Sequence, residues 1–320
     1  MEPIRTLSNT SSSRSSGTSR TSNTSLSSIK EHPLATLARL IGPKPPPENT
    51  SLPTVIEEHR QSMLHGHTQS DYLSFHPVCL EEYQNLSDDD SSTSKICRFT
   101  YDLDTKVLIC KVMPSQAHER AIKFFDLLIT LELHAMNLHK SVLNDGAARV
   151  EVGSWRKEAD SCWRPRGATG KLGLVLEMGM SETRAHLAIV ARAWVETESA
   201  NLVVTVEINR TKPEIVLKLW QLIPSPTSSP IRQPRSLTAS YTQSISMIRT
   251  EAGTIVSGEV LKNGEWTAIT SLEISFIDMM GRLPTNPLER NIVLSQESLV
   301  ELAEVIWGSK DWQRGWALVA

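Results

Sequence analysis

The chain has 320 residues, 39% of them apolar, with four cysteines and a formal charge of -3. That length supports one or two ordinary domains with a real core and excludes a mini-protein held together by staples. The near-neutral balance excludes a globally basic nucleic-acid binder and leaves any such contact to a local patch. Cys79, Cys97, Cys110 and Cys162 form no C-x-x-C pair, which argues against a zinc site and a dense disulfide framework. With no apolar run of membrane-spanning length and no secretory signal pattern, the expected home is intracellular, nucleus or cytoplasm, with no membrane partner.

Residues 1–95 read as a mostly disordered Ser/Thr/Pro-rich tail. Roughly half of the first thirty are Ser or Thr, too few apolar groups to offset ordering entropy. Short helical hints at Leu34–Leu40 and Pro53–Leu64 interrupt this tail, and the ordered domain is expected from about Ile96. Period-two alternation at Cys97, Phe99 and Tyr101, then at Val107, Ile109, Lys111 and Met113, predicts a hairpin. Ser115 can cap a long helix running to about His139, apolar around most of its circumference and therefore buried. Two strands, 149–160 and 172–178, are expected to pair antiparallel across a loop that carries Arg164, Arg166 and Lys171.

A helix from Ser181 and a continuous apolar strand, Leu202–Ile208, complete a right-handed crossover onto a parallel neighbour. Glu214–Trp220 adds a strand, and residues 96–222 form the expected core. Residues 223–240, rich in Ser and Pro, read as a flexible insertion with possible phosphorylation sites. Residues 241–320 supply strand-like runs at 244–247, 254–261 and 266–277, and a terminal helix over 296–307 capped by Ser295.

Chemistry concentrates on carboxylates. Glu158 and Asp160, two apart on a predicted strand, share a face, and the pairing strand brings Glu177 beside them. Converging carboxylate oxygens at a strand end suit Mg2+ or Mn2+, which activates water and neutralises a scissile phosphate. The bland alternative for Asp160 is a solvated surface group; Glu177 ends the apolar run Leu174-Val-Leu, where a buried charge needs a partner. Glu158 and Glu182 read as surface charges or salt-bridge partners and His118 as a capping or polar contact at a helix start. Trp155 and Trp163 bracket the site, available for base stacking or for packing. Gly167 to Lys171 is rejected as a phosphate loop, because Pro165 stands at the first required glycine.

Four segments carry a family likeness: Met113-Pro-Ser-Gln-Ala-His118-Glu119, Glu158-Ala-Asp160-Ser-Cys-Trp-Arg-Pro165, Leu174-Val-Leu-Glu177-Met-Gly-Met-Ser181-Glu182 and Val203-Val-Thr-Val-Glu-Ile208. In this order and spacing the chain from about Tyr101 to Trp220 resembles the PD-(D/E)XK, or restriction-endonuclease-like, nuclease superfamily, and within it a large group of fungal proteins. The resemblance implies an α/β fold, a restriction-endonuclease-like core with a mixed central sheet flanked by helices, and nucleic acid, DNA or RNA, as partner. It implies Asp160 and Glu177 as metal carboxylates, the Met178 backbone carbonyl as a further metal ligand, and Glu119 as an auxiliary acid. The family's lysine is replaced by Gly179; Arg184 is the first substitute for its charge, with Lys157 and Lys171 behind it. Two functions stay open: hydrolysis of phosphodiesters, or a non-cleaving module that binds nucleic acid or protein. A scaffold working through its Ser-rich tails is a third class.

Overall fold

The computed structural model describes residues 31–68, 70–88, 91–112, 116–168, 170–180, 184–209, 212–224 and 237–309. In chain order its elements begin with α1 (Pro33–Ile41), α2 (Leu52–Leu64), β1 (Tyr72–Phe75), α3 (Leu80–Leu86), β2 (Cys97–Asp102), β3 (Leu108–Val112) and α4 (Gln116–Ala135). Then come β4 (Val142–Asn144), β5 (Arg149–Val152), β6 (Trp155–Glu158), β7 (Ser161–Pro165), β8 (Leu172–Gly179), α5 (Arg184–Glu196), β9 (Ala200–Ile208) and β10 (Glu214–Pro224). The chain closes with β11 (Leu237–Thr250), β12 (Gly253–Lys262), β13 (Glu265–Ile269), β14 (Leu272–Ile274), α6 (Phe276–Met280), β15 (Ile292–Leu294) and α7 (Gln296–Trp307). The fold is mixed α/β, built on a large mixed sheet flanked by helices.

That sheet has eight strands in the order β13-β12-β11-β10-β9-β8-β7-β4, and the β8–β9 pair is parallel, as the α5 crossover predicts. Period-two burial sorts its side chains onto two faces. Leu174, Leu176 and Met178 of β8, with Leu202, Val204 and Val206 of β9, join α4, α6 and α7 in one core cluster. Gly173 lets α6 approach β8 closely, since a Cβ there would lie 2.2 Å from the Met279 carbonyl oxygen. Val175 and Val203 face the other way, against Val190, Ala191 and Trp194 of α5. The terminal helix keeps its expected span, with the Ser295 side chain accepting the Ser298 N–H, a cap that typically contributes about 1 kcal/mol.

A second sheet, entirely antiparallel, has five strands in the order β1-β3-β2-β6-β5. One face, with Phe99, Tyr101, Leu108 and Cys110, packs on α2 and α3. The other, with Tyr72, Ile109 and Trp155, joins the cluster built around α5 and also takes in α1. This sheet corrects three expectations. The ordered part starts well before Ile96, because Leu34, Leu37 and Ala38 of α1 form an apolar stripe buried against that cluster. The expected strand 149–160 is a hairpin: Gly153 takes φ +66 at the turn, and Val152 pairs with Trp155. The strand that pairs antiparallel with β8 is therefore β7.

Elsewhere α4 stops at Ala135 rather than near His139, and the expected strand 266–277 resolves into β13, β14 and the start of α6. Of the expected insertion 223–240, both flanks are strand, with Pro224 opposite Leu237 at the end of the β10–β11 pair; 225–236 lie outside the described residues, as do Met113–Ser115 and Ser181.

Candidate active site

Asp160 sits in the bend between β6 and β7. Ser161 pairs with Leu176, so one step further along the same register brings Asp160 opposite Glu177. β8 turns Glu177 to the α5 side, the face of Val175. Both carboxylates are nearly inaccessible, Asp160 at 2% and Glu177 at 1% exposure, so each needs compensation nearby.

Compensation comes from the five-stranded sheet. Lys111 on β3 and Lys157 on β6 lie on the same face as Ile109 and Trp155, and both are buried. Lys111 Nζ stands 2.7 Å from Asp160 Oδ2 and 3.5 Å from Glu177 Oε2, while Lys157 Nζ is 3.0 Å from Glu177 Oε1. Asp160 Oδ2 also accepts the Met178 amide at 2.7 Å, and His118 Nε2 lies 3.6 Å away. Glu177 Oε1 accepts the indole N–H of Trp194 at 2.7 Å, and the Lys157 ammonium sits 5.4 Å from the centre of that ring. Burial raises the cost of charge on Asp160, yet Lys111 and then His118 outweigh it and hold its carboxyl well below the usual range.

Of the residues singled out from the sequence, Asp160, Glu177 and Lys157 lie together, and Lys111 and Trp194, which were not singled out, join them. The signal for Lys111 was a lysine on the apolar alternation that includes Ile109. Met178 meets Asp160 through its amide N–H. Glu119 stands apart, its side chain 44% exposed and 4.0 Å from His118 Nδ1. Arg184 is elsewhere: 61% exposed, it pairs with Glu207 at 3.0 Å and approaches Glu214 at 3.8 Å. Glu158 and Asp160 do not share a face, because β6 ends between them; buried Glu158 accepts the Phe99 N–H at 3.0 Å and Arg149 at 2.9 Å. Trp155 and Trp163 are 2% and 1% exposed and act as packing, not as stacking platforms. Burial pushes the Cys162 thiol up to about 12, which suits a core residue rather than a nucleophile.

Among the described residues, no group of three or more His, Cys, Asp or Glu is placed to hold a metal ion. Asp160 Oδ1 is buried without a hydrogen-bond partner, and Glu177 Oε2 has only the longer Lys111 contact. These would be the two oxygens left for a hard divalent cation that keeps most of its waters, and they do not make an all-protein cage.

No family model and no curated protein matches the chain. Among solved structures it is similar to a candidate nuclease belonging to DUF820 from Anabaena variabilis, at 10% sequence identity and a TM-score of 0.32, over 51% of this chain and 84% of that one. Among the described residues no helix is long and apolar enough to cross a membrane.

Proposed function

We propose that this chain is a divalent-metal-dependent phosphodiesterase of the restriction-endonuclease-like class, acting on DNA or RNA, in which Lys157 supplies the cation that Gly179 lacks. The observation that carries the reading is the Lys157 ammonium 3.0 Å from Glu177, reaching the carboxylate from another sheet. Asp160 and Glu177 would hold Mg2+ or Mn2+, which supplies an activated water and neutralises phosphate charge. Lys157 can orient that water as a compact ammonium donor held against Glu177. Trp194 fixes the Glu177 carboxylate through its indole N–H.

The test is a Mn2+ nuclease assay on single- and double-stranded DNA and RNA, with folding checked by circular dichroism. Asp160→Ala, Glu177→Ala and Lys157→Ala are expected to lose roughly 100-fold or more in turnover. Arg184→Ala is expected to keep it. Equal activity in all five proteins, wild type included, would sink the reading.

A second reading, a binding module of the same fold without cleavage, is supported by burial: Lys111, Lys157, Asp160 and Glu177 are 6%, 4%, 2% and 1% exposed, and their four charges already cancel. It expects no heat on titrating Mn2+ into the protein and an oligonucleotide complex that stays intact. Measured turnover excludes it.

A further inference from the structure

The free edges of the two larger sheets are unequal. At one side the eight-stranded sheet ends in β4, only three residues long. The five-stranded sheet ends in β1, where Lys44 bridges to Phe75, and in β5, which carries Arg149 and Glu151. Short strands, covering segments and charges are the usual devices that keep an edge from acquiring another strand. Among the described residues β13 is much less protected. Its sequence, Glu265-Trp266-Thr267-Ala268-Ile269, holds no proline or lysine, and it pairs with β12 without a register shift. Its one charge, Glu265, lies opposite Lys262. The first four residues are exposed, with Trp266 at 43%.

We propose that β13 pairs antiparallel with β13 of a second copy of this chain, about a two-fold axis through Thr267, joining two eight-stranded sheets into one. The strand is self-complementary in that register. Thr267 meets Thr267 of the second copy, Trp266 meets Ala268 and Glu265 meets Ile269, so each large ring lies against a methyl group and no like charges face each other. Trp266 and Ala268, two apart, share one face, which places two such ring–methyl pairs side by side. Centring the pairing on Trp266 or Ala268 leaves residues at the strand ends without a counterpart; the Thr267 register pairs all five. Main-chain bonds give such an added strand its affinity and alternate side chains its register. A single five-residue strand makes a small interface, so the dimer is concentration-dependent.

The full chain is examined by sedimentation equilibrium from about 1 to 100 µM, the range in which a small interface populates. The mass is expected to rise towards twice the monomer value. Thr267→Lys and Thr267→Glu, each placing like charges across the axis, are expected to stay monomeric with unchanged circular dichroism, and their equimolar mixture is expected to recover the dimer. Ala268→Pro, which removes an N–H that the two-residue turn at Asn263-Gly264 directs away from β12, is expected to be monomeric as well. A wild-type monomer throughout the range, a dimer that persists in Thr267→Lys, or no recovery in the mixture would each overturn the proposal.

Discussion

Two groups of opposite charges sit two residues apart along β8 and β9, and they obey different physics. In the β8–β9 register Glu177 lies beside Thr205 and Gly179 beside Glu207. At the first position Glu177 is buried with Lys157, Lys111 and Asp160; at the second, Glu207 meets Arg184, which is 61% exposed. Water screens the outer pair and makes it nearly optional, whereas the inner charges have surrendered their hydration and depend on each other. The comparison shows why charge type alone misplaced the cation. Arg184 is near Glu177 in sequence but remains in solvent, while the two lysines reach inward from a different sheet.

Removing one inner partner should have the largest effect. Glu177→Ala or Lys157→Ala strands an unpaired buried charge and is expected to cost about 3–5 kcal/mol in urea unfolding. Replacing both at once, Lys157→Met with Glu177→Leu, should cost less than either single change; a double mutant as unstable as the sum would mean that the charges do not act as a pair. Trp194→Phe keeps the ring but deletes the N–H donated to Glu177, and about 1.5–3 kcal/mol is expected. Arg184→Ala, at the outer pair, should cost at most about 1 kcal/mol and less in high salt; a loss matching that of Lys157→Ala would erase the distinction.

Acid sharpens the same contrast. The folded Asp160 carboxyl lies well below its unfolded value, so its contribution is present above the unfolded pKa of about 4 and fades as pH falls through the folded value. Stability measured from pH 6 downward should therefore fall in wild type and more gently in Asp160→Asn, measured relative to each protein's own stability at pH 6. Parallel curves would show that Asp160 is not held ionised by its neighbours.

Local chemistry made part of this molecule legible. The β2–β3 hairpin, the β8–α5–β9 crossover and the Ser295 cap each announce themselves within a few residues, through alternation, apolar periodicity or one hydroxyl. Asp160 and Glu177 were legible for a related reason, since the β7–β8 register aligns them across a single connection. Lys111 was not, because its approach to Asp160 spans 49 residues of sequence and depends on how a second sheet folds over the first. The break at Gly153 shows only as a change of parity, from Val150 and Val152 to Trp155, which an unbroken strand over 149–160 does not allow. The helical hints at Leu34–Leu40 and Pro53–Leu64 are α1 and α2, but their place in the ordered domain was not legible, because each buries its apolar stripe against elements that come later in the chain.

The two lysines belong to one sheet and the two carboxylates to the bend and strand of the other, so the four charges also act as a fastener between sheets. Cohesion and accessibility are then a single quantity: the carboxylates meet solvent only as often as β3 and β6 lift away. Hydrogen exchange at the indole N–H of Trp194, which is donated to Glu177 itself, therefore reads out how often that carboxylate is uncovered in the resting protein.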